Sequence, residues 1–284
     1  CCFMLLLIFQ AKGWGAVSSS GFSISGAVQQ PIRLTAEELA KFQSSTVRLN
    51  EVFQEEHYAG SFTYQGVPLR TILELAHIQK EDASFSKFLD VCIVIRNAVG
   101  KQVVLSWGEV FYRNPAEVII AFAAEPVLPE LPQGREKWRN TLNRPIGFPK
   151  LIIANDLYTD RCMESIVSID VMVLNPSMKI RNTEDQYASS FTVSGAVKTP
   201  LTISDLTGWS RESATIKVTG SLKGYHGVQH VSGVPLVNLL EKAGATMDLS
   251  TVYLVTHSDG YRAVLSFGEL FLDPAGERIL IADG

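Results

Sequence analysis

Two histidines four residues apart are the feature of this sequence with the clearest spacing for a chemical site. On a helix, His226 and His230 would share one face, where two imidazoles could hold a metal ion. Gly224 and Gly227 favour a loop instead, in which that spacing has no such consequence. The chain also contains neither a CxxC nor an HExxH metal spacing. The sequence therefore predicts no metal site.

Nucleophilic and acid–base chemistry has equally little support. Cys92 lies in an apolar run and is interpreted as a small buried hydrophobe, whereas Cys162 follows Arg161 in a polar segment and is the one candidate for a reactive thiol. The carboxylates of residues 37–38 and of residues 55–56 are adjacent and point in different directions, so first-turn or solvated roles explain them. Neither a GxSxG nor a GxGxxG motif is present. The sequence predicts no catalytic residue.

The composition is that of an ordered protein without a basic surface. The chain has 284 residues, of which 46% are hydrophobic and 19% charged, and its formal net charge is −4. Disorder is not expected at this composition. No nucleic-acid partner is expected either, because the protein offers no basic field to a polyanion. The length suits two domains of about 100–150 residues each.

The N-terminal residues predict export. Residues 1–9 are an apolar run that is too short for a membrane span, which needs about 20 residues. The run suits the hydrophobic part of a secretory signal, since small residues follow it up to Ala16. We expect residues 1–16 to be the remnant of a signal peptide and the protein to be periplasmic or extracellular. A buried strand is the alternative.

Three blocks of sequence occur twice in the same order, which predicts an internal duplication. The blocks are FSISGAV at 22–28 and FTVSGAV at 191–197, GVPL at 66–69 and 233–236, and VLSWGEVF at 104–111 with VLSFGELF at 264–271. We expect a first copy at 22–174, a linker at 175–190 and a second copy at 191–284. The second copy is expected to be C-terminally incomplete, with strands that lack partners, because nothing in it matches the strand-like runs that end the first copy.

The repeated blocks predict the elements of one module. Alternating apolar residues at 22–28 predict a half-buried strand, in which Gly26 marks a close backbone approach. Thr35 is a helix N-cap by type and place, and Ser204 repeats it. Pro68 suits the first position of the next helix, and a hairpin follows in both copies. The predicted class is α+β, with mixed, mostly antiparallel sheets and short peripheral helices.

The order of these blocks resembles the molybdopterin-binding domain of the sulfite oxidase family. The resembling residues are ISGAV at 24–28 with Pro31, LTAEEL at 34–39, GVPL at 66–69, LIIAND at 151–156 with Arg161, SIVSI at 165–169 and DGY at 259–261. The resemblance implies two tandem molybdopterin-binding modules. In catalytic members a Cys thiolate ligates molybdenum, but the corresponding residues 46–53 and 215–220 contain no Cys. Molybdenum ligation by Cys is therefore not expected, although molybdopterin remains the cofactor that the resemblance implies.

The resemblance also places a ligand pocket. The implied pocket residues are Asn50, His57, Tyr64 and Arg161 in the first copy, and Thr219, His226 and His230 in the second. In this alignment Asn50 corresponds to Thr219. Arg161 could hold a phosphate or another anion with two hydrogen bonds, or it could lie at the surface. His57 is either a pocket residue or a solvated loop residue.

Three functions follow from these observations. The leading hypothesis is an exported, non-catalytic binding module that holds a pterin-like or small anionic ligand. One alternative is a molybdopterin-dependent oxidoreductase of the sulfite oxidase family, which would work with a redox or membrane partner protein. The other is a structural or partner-binding tandem domain, in which Leu49, Phe53 and Tyr64 fill the pocket.

Overall fold

The computed structural model describes residues 21–55, 57–81, 85–128, 144–175, 189–220 and 224–283. These residues form an α+β fold in which strands dominate and the helices are short, so the predicted class is confirmed at this level. The predicted signal remnant lies outside the described residues. So does nearly all of the predicted linker.

The described residues of the N-terminal part, 21–175, form nine strands and three α-helices. The strands are β1 (Phe22–Gly26), β2 (Ile32–Leu34), β3 (Ser45–Val52), β4 (Tyr58–Pro68), β5 (Val91–Asn97), β6 (Gln102–Ser106), β7 (Val118–Pro126), β8 (Lys150–Ile153) and β9 (Ile166–Val173). The helices are α1 (Ala36–Leu39), α2 (Leu69–Leu75) and α3 (Trp107–Phe111).

The described residues of the C-terminal part, 189–283, repeat much of this order. The strands are β10 (Phe191–Val193), β11 (Leu201–Ile203), β12 (Glu212–Gly220), β13 (Gly224–Pro235), β14 (Val252–Thr256), β15 (Arg262–Ser266) and β16 (Leu280–Ala282). The helices are α4 (Leu236–Ala243) and α5 (Phe267–Phe271).

Two sheets build the N-terminal part. One has the strand order β2-β1-β9-β5-β6 and the other β3-β4-β7-β8. Among the described strands every pair is antiparallel except β1 with β9, as the sequence predicted. The main core joins both sheets to α2, and its fully buried members include Ile24, Ile93, Ile120 and Leu73.

The C-terminal part has smaller sheets and its own core. Strands β12, β13 and β16 form one sheet, while β10–β11 and β14–β15 are hairpins. The core packs α4 and α5 onto these strands through residues such as Leu239, Val234 and Leu270. Within the described residues, β16 pairs with β13 alone, so its other edge is open.

Local sequence signals are mostly confirmed. Gly26 has φ +91, and a Cβ there would lie 2.1 Å from the carbonyl oxygen of Val171, which is the predicted close approach. Thr35 forms the predicted cap of α1. Pro68 precedes α2 rather than starting it, because it is still the last residue of β4. The helix start predicted at Ser204 is wrong.

The residues after Ser204 show why no helix forms there. The Asp205 side chain accepts hydrogen bonds from both the amide (2.8 Å) and the hydroxyl (2.7 Å) of Thr207. This local turn satisfies the backbone that a helix would otherwise engage. Gly208 follows directly and disfavours helix propagation.

The two parts share a strand register. Gly66 lies opposite Ala121 in the β4–β7 pair, and Gly233 lies opposite Ala282 in the β13–β16 pair. The β3–β4 and β12–β13 hairpins pair residues in the same way, and corresponding residues differ in number by 167, as Gly233 and Gly66 do. Asn50 then corresponds to Lys217, so the sequence alignment of Asn50 with Thr219 is wrong by two residues.

The two parts also meet. Cys92, Val94 and Val104 of the β5–β6 hairpin pack against Val264 of β15 in a small buried cluster. The Val104 amide donates to the Leu249 carbonyl oxygen at 2.9 Å, which crosses between the parts. Cys92 is 2% exposed, so its predicted role as a small buried hydrophobe is confirmed.

Candidate functional site

Arg161 lies at the junction of the two parts. A short helical turn, Thr159–Arg161, presents its side chain, which is 1% exposed. Its Nε and Nη2 donate to the Asp156 carboxylate at 2.7 and 2.6 Å. Its Nη1 donates to Glu109 Oε1 at 2.6 Å and to Ser266 Oγ at 3.3 Å. The predicted alternative of a surface position for Arg161 is therefore wrong. Each of its side-chain nitrogens has a partner.

The guanidinium also packs on the backbone of α5. A Cβ added to Gly268 would lie 1.9 Å from Arg161 Cζ, so only glycine leaves room for this contact. Burial alone would lower the pKa of Arg161, but the charges and hydrogen bonds of Glu109 and Asp156 raise it. Arg161 thus joins the two parts and does not face an open pocket.

Around Arg161 the two repeated Ser-x-Gly-Glu blocks meet. Each block caps its own helix: Ser106 with Glu109 at α3, and Ser266 with Glu269 at α5. The Ser266 hydroxyl also donates across the junction to Glu109 Oε2 at 2.6 Å, and Ser106 lies near the Glu269 carboxylate, where it lowers the pKa of Glu269. The two blocks therefore have a structural role as helix caps. Their contact with each other was missed, because a repeat in sequence does not show that its copies touch.

We call the ionisable side chains of this region the junction cluster. Its cations are Arg113 and Arg161, and its carboxylates are Asp156, Glu109, Glu269 and Asp273. Arg113 of the N-terminal part pairs with Asp273 of the C-terminal part. This pair joins a cation of the N-terminal part to a carboxylate of the C-terminal part, and the pair of Arg262 with Asp90 joins the two parts the other way round.

Tyr64 belongs to a second buried group, the Glu51 cluster, which is formed by Glu51, Tyr64, Lys150, Arg144 and Glu164. The Tyr64 hydroxyl donates to Glu51 Oε1 at 2.5 Å, and Lys150 Nζ donates to the Tyr64 oxygen at 2.9 Å and to Glu51. Arg144 reaches both Glu51 and Glu164 at 2.7 Å. These bonds fix Tyr64 between strands of the sheet.

The electrostatics of this cluster are those of a closed network. Burial would raise the pKa of Glu51, but Lys150, Tyr64 and Arg144 together hold it below its ordinary value. Burial and the Glu51 charge raise the pKa of Tyr64. A tyrosine with a raised pKa that already donates to a carboxylate is a poor general base.

Apolar side chains fill the space beside Tyr64. Leu49 and Tyr64 pack with Ile152 and Cys162 in one buried cluster. Burial raises the pKa of Cys162 to about 12, and its Sγ accepts a hydrogen bond from the Ile153 amide at 3.4 Å. The prediction of a reactive thiol at Cys162 is therefore wrong, because a buried thiol with that pKa stays protonated.

Asn50 and His57 lie near the exposed end of the β3–β4 hairpin. Asn50 Oδ1 accepts from the Ser61 hydroxyl at 2.6 Å. The His57 carbonyl oxygen accepts from the Phe53 amide at 3.0 Å, while its ring is exposed. The solvated reading of His57 is confirmed. Among the described residues, the hydrogen bonds of Asn50, Tyr64 and Arg161 go to different partners, so these side chains do not form one site.

Thr219, His226 and His230 lie on the exposed β12–β13 hairpin. Both histidines are in β13, so the predicted loop is wrong: the chain continues the strand through a bulge at Gly227. In a strand, four residues span about 13 Å, too far for one metal ion. Within the described residues, no group of three His, Cys, Asp or Glu side chains is arranged to hold a metal.

The structure thus brings the predicted pocket residues to separate places. Two shallow cavities are found elsewhere: one of about 380 Å³ beside Gly26 and Val173, and one of about 300 Å³ beside His77 and Trp107. Within the described part of the chain, no buried side-chain nitrogen or oxygen lacks a partner. The described residues predicted for the pocket therefore do not form one site that could hold a pterin or an anion.

The described residues also contain no helix that is long and apolar enough to cross a membrane. The fold and the junction together describe an α+β protein whose two parts are joined by ion pairs.

No family model matches this chain, and no curated protein matches it. Among solved structures, the chain is similar to one described as the sulfane dehydrogenase SoxCD from Paracoccus pantotrophus. The match covers 87% of this chain and 77% of that chain, with 10% sequence identity and a TM-score of 0.39. A similarity of this size assigns neither a family nor an activity.

Proposed function

We propose that this chain is a non-catalytic tandem domain with a structural or partner-binding role. The observation that carries the proposal is the state of Arg161, whose Nε, Nη1 and Nη2 are all bonded to protein groups at 1% exposure. An anion that bound there would have to displace Asp156 or Glu109. The pterin-like or anionic ligand favoured by the sequence therefore has less support.

The tandem arrangement is part of the same proposal. Its support is the equal register of the β4–β7 and β13–β16 pairs and the matching caps at Ser106 and Ser266. Kinship with the sulfite oxidase family is proposed on the sequence blocks alone. Export likewise rests on the N-terminal apolar run.

The exposed β12–β13 hairpin favours a partner. Ile216, Tyr225 and Val228 are 39%, 62% and 52% exposed. Exposed apolar side chains gathered on one hairpin are typical of protein contacts.

Elemental analysis of the full chain, produced in a host that makes molybdopterin, tests the proposal. We expect no molybdenum above background and no pterin in a denaturing extract, whereas an authentic molybdopterin enzyme purified in parallel carries both. One molybdenum per chain, or sulfite oxidation that Arg161→Ala abolishes while the fold persists, would establish the oxidoreductase instead.

A further inference from the structure

The junction cluster contains more carboxylates than cations. With every group ionised, four negative and two positive charges leave a net charge of −2. The carboxylates of Asp156, Glu109, Asp273 and Glu269 are only 1%, 3%, 6% and 7% exposed. Buried charge without compensation is unfavourable, so the cluster favours binding a proton.

The two arginines lie at different distances from the two capping glutamates. Arg161 Nη1 lies 2.6 Å from Glu109 Oε1, whereas Arg113 Nη2 lies 4.0 Å from Glu269 Oε1. Arg113 is directed to Asp273 instead, through its Nη1. Glu269 is therefore the less compensated of the two capping glutamates.

We propose that Glu269 is a proton-operated latch between the two parts of the protein. When Glu269 binds a proton, one of two neighbouring negative charges disappears and the contact between α3 and α5 tightens. When it loses the proton, repulsion by Glu109 loosens the contact. The Ser106 hydroxyl can serve both states, because a hydroxyl donates to a carboxylate and accepts from a carboxylic acid.

The surroundings of Glu269 identify what else bears on it. Several charged groups lie on the elements packed around α5. From the N-terminal part these are Glu109 of α3, Arg113 just after it, and Asp156 and Arg161 beyond β8. From the C-terminal part they are Asp273, the exposed Glu277 and Arg278 of the following turn, the exposed Glu241 and Lys242 of α4, and Arg262 of β15, which binds Asp90. No histidine is among them, so proton uptake falls to the carboxylates.

The titration agrees with this geometry. Burial and the charge of Glu109 raise the pKa of Glu269 from its ordinary 4.5 to about 7. Burial also raises the pKa of Asp156, against the effect of Arg161. Because the folded-state pKa of Glu269 exceeds the unfolded value, the folded state binds the proton more tightly. Stability is therefore gained as pH falls through about 7 and is lost as pH rises through it.

The test is the pH dependence of thermal unfolding for the full chain and for Glu269→Gln, with hydrogen exchange of the α3 and α5 amides alongside. Between about pH 6 and about pH 8 we expect the Tm of the wild type to fall by several degrees and exchange of these amides to quicken. Glu269→Gln imitates the protonated state. It should flatten the profile and exceed the wild-type Tm at the higher pH.

Two further variants separate the latch from a purely structural role. Glu241→Gln, which neutralises an exposed glutamate on α4, should keep the wild-type profile. Glu109→Gln should lower Tm but also move the midpoint of the wild-type transition to lower pH, because the charge that repels Glu269 is gone. A wild-type Tm that does not change over this range, or a Glu269→Gln profile that still parallels the wild type, overturns the proposal.

Discussion

The β3–β4 and β12–β13 hairpins have similar backbones and opposite surroundings. Each shifts its pairing at a glycine with positive φ: Gly60 (φ 129) lies opposite Glu51, and Gly227 (φ 113) lies opposite Val218. In each hairpin, the first pair beyond the shift contains a tyrosine: Val52 pairs with Tyr58, and Thr219 pairs with Tyr225. The bulge is therefore set by glycine and turn geometry and does not depend on what covers the sheet.

The side chains that face the interior differ completely. Glu51 and Tyr64, which form the ionic cluster with Lys150, correspond to Val218 and Val231 at the offset of 167. Side chains from residues 146–162 pack against the N-terminal hairpin, whereas the C-terminal hairpin is largely exposed. The buried charges thus occur where this segment packs on the hairpin, and the hairpin backbone alone does not require them.

The largest expected effect is the loss of Lys150. Lys150→Ala leaves the buried Glu51 carboxylate without its closest cation, and we expect the free energy of unfolding to fall by about 3–5 kcal/mol in urea titrations. Lys217→Ala, on the exposed hairpin, should change it by less than about 0.5 kcal/mol.

A paired substitution shows whether the charge or the packing matters at Lys150. In Glu51→Gln/Lys150→Met both charges are removed together, and most of the lost stability should return, since removing a buried pair together costs far less than breaking it. Equal losses in the single and the double variant would show that the Glu51 cluster acts through shape alone.

A smaller contrast is expected for the apolar residues at matched positions. Leu49 is 6% exposed and Ile216 is 39% exposed, although both lie on the same face of their hairpins. Leu49→Ala should cost about 3 kcal/mol, and Ile216→Ala less than about 1 kcal/mol. Comparable losses at both positions, measured by urea unfolding, would mean that the C-terminal hairpin is covered in solution.

The sequence predicted the parts of this comparison that depend on local chemistry. Gly26, the Thr35 cap and the hairpin in each copy were predicted because each of these signals has a direct backbone consequence. The α+β class followed from the same signals.

The sequence could not predict contacts made between distant residues. Arg161 was assigned to a ligand or to the surface, yet its partner Glu109 is 52 residues away and Ser266 is 105 residues away. Cys162 was predicted to be the candidate reactive thiol because its neighbours in sequence are polar, but the strands that bury it come from elsewhere in the chain. Burial of polar segments is a property of the assembled fold.

The smallest effect is expected where the two hairpins are alike. A Cβ on Gly66 would lie 2.6 Å from the Ile120 carbonyl oxygen, and one on Gly233 would lie 2.2 Å from that of Ile281. Both contacts are with backbone of the neighbouring strand, so Gly66→Ala and Gly233→Ala should each cost about 2 kcal/mol, in the range of other overpacking substitutions. Near-equal losses of stability in urea unfolding would support the same backbone arrangement in the two hairpins despite their different side-chain surroundings. A loss confined to Gly66→Ala would show that β16 moves freely where β7 cannot, and that the likeness of the two hairpins ends at their open edge.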